Sequence, residues 1–461
     1  MPLPAPQAQA AATTLGDDDE RELLEGSRFL ASSNPRQYTL VLAGVTFRAV
    51  FNFNVYSSLL LPGFLQGVVF AVLLGLRARR EARWADVFAA LVLLIGALYV
   101  AQWMLGFGGW YDERDGRTTV MFYLPWEHLA ALGPLVWLYF RAVTNTDFRW
   151  RGRYWRHFLP YGGFLLLPLL MVLHDFGYER LLRGESFAYF GATRGTLAEW
   201  THGPGSWLVE VIRLASRLLV IGYLLRTIRE FADYRRYLEQ EFSNADRLWL
   251  PGLRALLWLL LLGIGGNFML EIAQHLFGAF SYVDSWNRYF VMSLFVFAAA
   301  IQFFAISPHL TRPLRFESPP VGAPPVVASV AVPPAPVSAE PHWAARLEKH
   351  LDAHPDYLDP NLKLGELATR LGTNSSVLSR AINQGFGKNF NDFVNGYRCS
   401  AFRERVAAGA HERHTLLSLA LDCGFNSKST FNRAFRKQYG RSPGAMIREW
   451  GANHDLGRVE P

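Results

Sequence analysis

The sequence contains little cysteine: Cys399 and Cys423 are its two cysteines among 461 residues. Their spacing fits no metal-binding motif, and two cysteines cannot build the disulfide framework of a small secreted protein. We therefore interpret both as buried, reduced thiols. The sequence also lacks a phosphate-binding glycine loop and a nucleophile elbow. These absences argue against an enzyme, and we predict no catalytic residue, no metal and no cofactor.

Lysine is missing from the first 340 residues, and all five lysines lie after that point. Apolar residues have the opposite distribution and concentrate in long blocks between about residues 56 and 306. A helix that crosses a bilayer needs roughly 20 apolar residues. We therefore predict an all-α chain with a membrane domain over 38–306. Its seven spanning helices are expected at about 57–76, 84–106, 120–141, 156–174, 206–227, 249–273 and 286–306.

The ends of this membrane domain are less regular. Residues 1–37 are rich in small and polar residues, and we interpret them as disordered. The segment Tyr38–Val55 is apolar, but it is short and contains Gly44 and Arg48. We place this segment at the outer interface, partly extended, and whether it spans the membrane stays open.

Arginine-rich loops orient the predicted bundle. The loops after the first, third and fifth helices each carry four arginines, as in RARREAR at 77–83. The other loops are poorer in arginine or balanced by acidic residues. Short basic loops remain in the cytoplasm. We therefore expect the N-terminus outside and, after seven crossings, the C-terminus inside.

A proline-rich segment follows the membrane domain. Ten prolines occur between residues 308 and 341, with alanine and valine between them. This composition favours extended polyproline conformations and cannot form a packed core. We predict a semi-rigid tether over 307–341, which spans about 3.1 Å per residue.

The C-terminal region, 342–450, contains an internal repeat and has 16 Lys/Arg against 10 Asp/Glu. One copy covers Leu367–Ile382 and the other covers Leu419–Phe435. Each copy has a glycine, Gly372 or Gly424, where two helices would be joined by a tight turn. An Asn-Ser pair then supplies side-chain oxygens to cap the next helix. We predict two helix-turn-helix units in this domain, followed by a tail over 451–461.

The second helix of each unit is predicted to have an apolar inner face and a polar outer face. Val377, Leu378 and Ile382 point inward in the first copy, and Phe431 and Phe435 do so in the second. Asn and Arg can read base edges in the major groove, while Lys and Ser can hold phosphates. The predicted DNA-binding residues are Ser375, Ser376, Ser379, Arg380, Asn383, Ser427, Lys428, Ser429, Asn432, Arg433 and Lys437.

These residues resemble the AraC/XylS family of bacterial transcription regulators. The resemblance covers about 343–450, and its most specific part is DCGFNSKSTFNRAFRKQYGRSP, Asp422–Pro443. It implies two recognition helices, Ser375–Gln384 and Ser427–Lys437, in successive major grooves of double-stranded promoter DNA. It also implies that Ser442 caps a last helix. The predicted membrane domain is similar to that of a membrane-bound subset of the family, so the inner membrane of a bacterium is the expected location.

Charged and polar residues inside the predicted membrane domain indicate a function, because burying them in lipid is costly. They are expected at similar depth in the outer half of the bilayer. We consider three alternatives for these residues: a structural network of ion pairs, an effector pocket, and a metal site that uses His128, Glu271 and His275. The candidate pocket residues are Glu127, His128, Glu210, Arg213, Asn267, Glu271 and His275; Arg217 shares the helix face of Glu210 and Arg213.

The sequence therefore predicts a one-component sensor in which a membrane domain couples a signal to promoter binding. Its expected partners are DNA, the lipid bilayer and an unidentified effector, and a homodimer would raise avidity through two tethered domains. The alternative is a transporter or membrane enzyme with a regulatory DNA-binding tail.

Overall fold

The computed structural model describes most of the chain, in two compact units. The N-terminal unit comprises residues 1–227 and 255–313, and the C-terminal unit comprises 228–254 and 314–461. The residues described are 40–42, 45–47, 53–112, 114–145, 147–248, 250–277, 282–306, 316 and 340–448. The predicted disordered segment 1–37, most of the predicted tether and the tail 451–461 lie outside them.

The described part of the N-terminal unit is mainly helical, with one hairpin and an isolated bridge between Tyr189 and Arg194. In the ambiguous segment Tyr38–Val55, β1 (Leu40–Leu42) pairs antiparallel with β2 (Val45–Phe47). A 3₁₀ turn at Gly152–Phe158 precedes α5, and a π-helical stretch at Leu173–Leu182 follows it. The helices are α1 (Val55–Glu81), α2 (Trp84–Phe107), α3 (Gly116–Tyr123), α4 (Leu129–Val143), α5 (Leu159–Val172), α6 (Thr196–His202), α7 (Ser206–Glu241), α8 (Pro251–Phe277) and α9 (Tyr282–Ile306).

Within the described residues, five helical stretches are long and apolar enough to cross a membrane. Each overlaps one of the predicted spans, whereas α4 is apolar but shorter, and α7 carries Glu210, Arg213 and Arg217 in its apolar part. The count of seven spans therefore stays a prediction. The five stretches are Val55–Glu81, Trp84–Phe107, Gly152–Leu182, Gly252–Ala273 and Trp286–Ile306.

The continuous helix predicted over 120–141 is wrong. α3 ends at Tyr123, α4 begins at Leu129, and the residues between them are not helical. Pro125 explains the break, because a proline disfavours the helical conformation of the preceding residue, Leu124, which is extended here.

Small residues allow α1, α2 and α9 to pack closely. Leu60, Val100 and Tyr289 belong to one buried cluster. A Cβ atom at Gly63 would collide with Ser293 of α9, so only glycine permits this approach. Glycine at helix contacts is typical of bundles in membranes, where close backbone packing replaces the hydrophobic effect between helices.

The C-terminal unit combines the end of α7 and residues up to Arg254 with a helical domain. Two buried clusters form its core, one on each half of α13, so α13 joins two subdomains. The domain begins two residues earlier than predicted, within the expected tether. Its helices are α10 (Glu340–Ala353), α11 (Leu364–Arg370), α12 (Ser375–Phe386), α13 (Phe390–Ala407), α14 (Leu416–Asp422) and α15 (Lys428–Tyr439).

Candidate functional site

Two helix-turn-helix arrangements are present in the C-terminal unit, α11–α12 and α14–α15. Each turn contains a glycine with positive φ, +71° at Gly372 and +90° at Gly424. Asn374 Oδ1 accepts the backbone N–H of Val377 at 2.9 Å and so caps α12. Ser427 Oγ caps α15 by accepting the backbone N–H of Thr430 at 3.2 Å.

The outer face of α12 differs from the sequence prediction at one position. Leu378 and Ile382 are fully buried, and Arg380 and Asn383 are exposed, as the pattern indicates. Ser379, however, is only 7% exposed and accepts a hydrogen bond from Asn383 Nδ2 at 3.5 Å. The prediction that Ser379 points outward is therefore wrong, because the inward face of α12 is one residue wider than assumed. Ser375 and Ser376 are half-buried.

The outer face of α15 is basic. Phe431 and Phe435 are buried on its inner side, within the cluster around α13. Lys437 Nζ lies 2.6 Å from Asp392 Oδ2 of α13, so this lysine has a competing protein partner. Among the remaining predicted contact residues, Lys428, Ser429 and Arg433 are exposed, while Ser427 and Asn432 are half-buried. A short-polar and basic helix face of this kind suits the major groove.

The predicted cap of the last helix is also present, since Ser442 Oγ accepts the backbone N–H of Ala445 at 3.2 Å. Both cysteines are buried. Burial raises the pKa of the Cys399 thiol to about 12, with a smaller contribution from Cys423, and burial also raises the pKa of Cys423. A raised pKa keeps a thiol protonated and unreactive at neutral pH.

The candidate pocket residues of the N-terminal unit lie partly in the helix break. Glu127 belongs to the non-helical segment before α4, and His128 is the N-cap residue of α4. His128 Nδ1 lies 2.7 Å from the hydroxyl of Tyr161 on α5, within hydrogen-bonding distance. The break therefore places Glu127, which is exposed, and His128, which is half-buried, side by side without a continuous helix.

Ion pairs join α7 to this break and to α8. Arg213 Nη1 lies 2.5 Å from Glu210 Oε1, and Arg213 Nε lies 3.5 Å from Glu127 Oε1. Arg217 Nη2 lies 2.7 Å from Glu271 Oε2 on α8. The network alternative pairs Arg213 and Arg217 with Glu210 and Glu271; the pair of Arg213 with Glu127 is additional. The side chain of His275 lies outside the described part, so the metal site suggested with His128 and Glu271 has no geometry here.

Two neighbouring cavities adjoin these ion pairs. The larger has a volume of about 810 Å³ and is lined by Glu127, Arg213 and Arg217 together with aromatic side chains such as Trp126. The smaller, of about 90 Å³, is lined mainly by apolar side chains of α2, α8 and α9, and by His128 and Asn267. Both cavities share Glu127, Leu129 and Arg217.

A cluster that the sequence reasoning missed lies beside α6. Donor atoms of His174, Asp175 and Glu179 lie within 4.8 Å of one another. Both carboxylates are engaged: Asp175 accepts the backbone N–H groups of Leu197 and Ala198 at 2.9 Å, and Glu179 accepts the hydroxyl of Thr196. These bonds cap the start of α6, so the cluster has a structural role.

Comparison with known proteins supports the assignment of the C-terminal domain. A family model described as a helix-turn-helix domain, of the AraC type, matches residues 367–449. This range contains α12, α13, α14 and α15, and therefore both predicted recognition helices. No curated protein and no solved structure matches the chain.

Proposed function

We propose that this chain is a membrane-bound, sequence-specific transcription regulator of bacterial type. The observation that carries the proposal is the presence in one chain of two helix-turn-helix units with exposed polar faces and of five helices long enough to cross a membrane. Apolar side chains on these helices are turned outward: Leu166, Leu169 and Leu170 of α5 are each 45–53% exposed. An outward apolar surface of this extent favours a lipid environment.

The proposed arrangement has seven spans, with α3–α4 and the first part of α7 as the two spans of lower apolarity. Internal ion pairs can lower the cost of the charges that α7 brings into lipid. A phosphatase that is active only in the periplasm should work when fused at residue 280 and be silent at residues 80, 150, 240 and 340. Activity at residue 340 would place the DNA-binding domain outside the cell and contradict the proposal.

DNA contact is tested with the fragment 340–461, which contains both subdomains. The expected result is binding to duplex DNA that weakens steeply with salt, because phosphate contacts release counterions. Arg433→Ala should weaken specific binding by roughly 1–3 kcal/mol, and Lys437→Ala should weaken all sequences equally. Gln438→Ala, an exposed neighbour on the same helix, is the matched control. Absence of binding at low salt by both this fragment and the full chain would remove the basis of the proposal.

The two cavities are the proposed effector site. A volume of about 810 Å³ is within the range of small-molecule pockets. The larger cavity offers Trp126 Nε1, Tyr111 OH and Gln102 Oε1, which are buried polar atoms without a hydrogen-bond partner among the described residues. The smaller cavity continues it as an apolar recess. An amphipathic molecule with a polar head and an apolar chain would satisfy both.

Arg213→Ala is the variant that tests this site. In cells carrying a reporter of a regulated promoter, Arg213→Ala should disturb the response to the effector while the full-length variant reaches the membrane at the normal level. The exposed Val211→Ala on the same helix is the control. A normal response from Arg213→Ala would exclude the cavity as the effector site.

A further inference from the structure

The DNA-binding domain has a surface that binds another part of its own chain. The segment Phe242–Ala245, directly after α7, lies against it within the C-terminal unit. The backbone N–H of Ser243 donates to the carbonyl of Leu362 at 3.2 Å, and Asn244 Nδ2 donates to the carbonyl of Pro360 at 2.9 Å. All four residues of the segment are buried.

α13 supplies the opposite wall of this surface. Asn391 Nδ2 donates to the carbonyl of Ser243 at 2.8 Å and to that of Phe242 at 3.3 Å. Arg398, 1% exposed, donates to the carbonyl of Ser243 at 3.2 Å and to its hydroxyl at 3.0 Å. Burial lowers the pKa of the Arg398 guanidinium to about 10, so it remains charged at neutral pH. Its donors therefore need these acceptors, since unsatisfied buried donors are costly.

The surface lies where the two subdomains meet. Pro360 and Leu362 directly precede α11 of the first helix-turn-helix unit, and Arg398 lies in the middle of the connecting helix α13. The carbonyl of Pro360 also accepts Asn426 Nδ2 at 2.9 Å, from the turn before α15. The docked segment therefore shares the carbonyl of Pro360 as an acceptor with the second helix-turn-helix unit. It also contacts the first helix-turn-helix unit and the connecting helix α13.

Docking leaves the predicted recognition faces accessible. Arg380 and Asn383 on α12 and Lys428 and Arg433 on α15 are exposed while the segment is in place. Partial burial lowers the pKa of the Arg433 guanidinium, and Glu239 and Arg235 near the end of α7 act on it with opposite signs. The docked arrangement is therefore compatible with DNA contact by both helices.

We propose that Phe242–Ala245 is a docking element that holds the two helix-turn-helix units in the orientation that binds DNA. This proposal rests on the proposed function. It assigns signal transfer to α7, because α7 carries Arg213 and Arg217 beside the larger cavity and ends at the docking element. The proline-rich segment 307–341 then needs only to be long enough to connect the membrane domain to the DNA-binding domain. This mechanism differs from coupling through the avidity of a dimer alone, because α7 acts on the contact between the two subdomains within one chain.

The first test measures the distance between the recognition helices in the full chain embedded in lipid nanodiscs. Spin labels are attached to Gln384→Cys and Arg436→Cys, both exposed positions, while the native cysteines are buried and stay unlabelled. The docked chain should give one narrow distance distribution. The double variant Ser243→Pro/Asn244→Ala removes the Ser243 N–H, the Ser243 hydroxyl and Asn244 Nδ2 from the docking element, and it should broaden the distribution, whereas Gln240→Ala, exposed on α7, should not. An unchanged distribution in the double variant would overturn the proposal.

The second test measures DNA affinity of the same nanodisc samples, with a labelled mixed-sequence 40-base-pair duplex at low salt. Loss of a fixed spacing lowers the effective concentration of the second recognition helix, so the double variant should bind about three- to tenfold more weakly. Equal or tighter binding by the variant would contradict the proposed docking role while leaving the DNA-binding function intact. Absence of binding by the unmodified chain and by the fragment 340–461 would contradict the proposed function instead.

Discussion

At the turn of the first helix-turn-helix unit, a Cβ atom on Gly372 would meet no atom within 4 Å. At the matching turn of the second unit, a Cβ atom on Gly424 would lie 2.7 Å from the carbonyl oxygen of Tyr357 and 2.9 Å from Arg398 Nε. Both glycines have positive φ, so the sequence pattern is the same. The second turn, however, is packed against the first subdomain and the buried arginine, whereas the first turn faces open space. A repeated motif can therefore carry different structural constraints in its two copies.

Replacing the two glycines should separate conformational strain from steric collision. Gly372→Ala should cost about 1–2 kcal/mol of stability, because alanine is strained at positive φ. Gly424→Ala should cost at least about 3 kcal/mol, because overpacking adds to that strain. Chemical denaturation of the fragment 340–461, followed by circular dichroism, measures both. Equal losses would show that the second turn is no more constrained than the first.

The two recognition helices also differ in charge, which should appear in the salt dependence of DNA binding. α15 exposes Lys428 and Lys437, whereas α12 contributes Arg380. The double variant Lys428→Gln/Lys437→Gln should reduce the slope of log K against log salt by about two, and Arg380→Gln should reduce it by at most about one. A larger change from Arg380→Gln would reverse the assigned roles. Titrations of the fragment 340–461 at several salt concentrations provide the slopes.

The smallest expected difference concerns the helix caps. Asn374 and Ser427 each accept one backbone N–H at the start of a recognition helix. Each substitution to alanine should cost about 1 kcal/mol of stability. The Ser427→Ala variant should lose somewhat more, because Ser427 Oγ is also hydrogen-bonded to the hydroxyl of Thr430, which is buried. Indistinguishable denaturation midpoints for Ser427→Ala and the unmodified fragment would contradict this role of the cap.

Residue patterns were sufficient to predict the repeat, its glycine turns and its caps, because these depend on local backbone conformation and on the 3.6-residue period. The break before α4 could have been predicted from Pro125, but the apolar run on both sides concealed it. The helix α7 continues to Glu241, beyond the predicted span 206–227, and no break in the sequence pattern marks the end of that span. Ser379 was misplaced because a small polar residue fits either face of a helix.

The docking surface could not be predicted from the sequence, for a physical reason. All but one of its bonds end on the backbone carbonyls of Phe242, Ser243, Pro360 and Leu362, which every residue type possesses. Arg398 is one of 16 Lys/Arg in 342–450, and its sequence neighbours do not distinguish it from the others. Its burial follows only from the meeting of segments distant in the chain. The two cavities of the N-terminal unit depend in the same way on contacts among several helices.

Binding of DNA by the full chain in lipid nanodiscs tests the central claim most directly. Fragments of genomic DNA are mixed with the nanodiscs, and the DNA that co-elutes with the discs is sequenced at two salt concentrations. The account predicts enrichment of a small set of promoter sequences, lost in Arg433→Ala and retained in Gln438→Ala. Failure of any DNA to co-elute at low salt, or binding only after the C-terminal domain is cleaved from the disc, would contradict it.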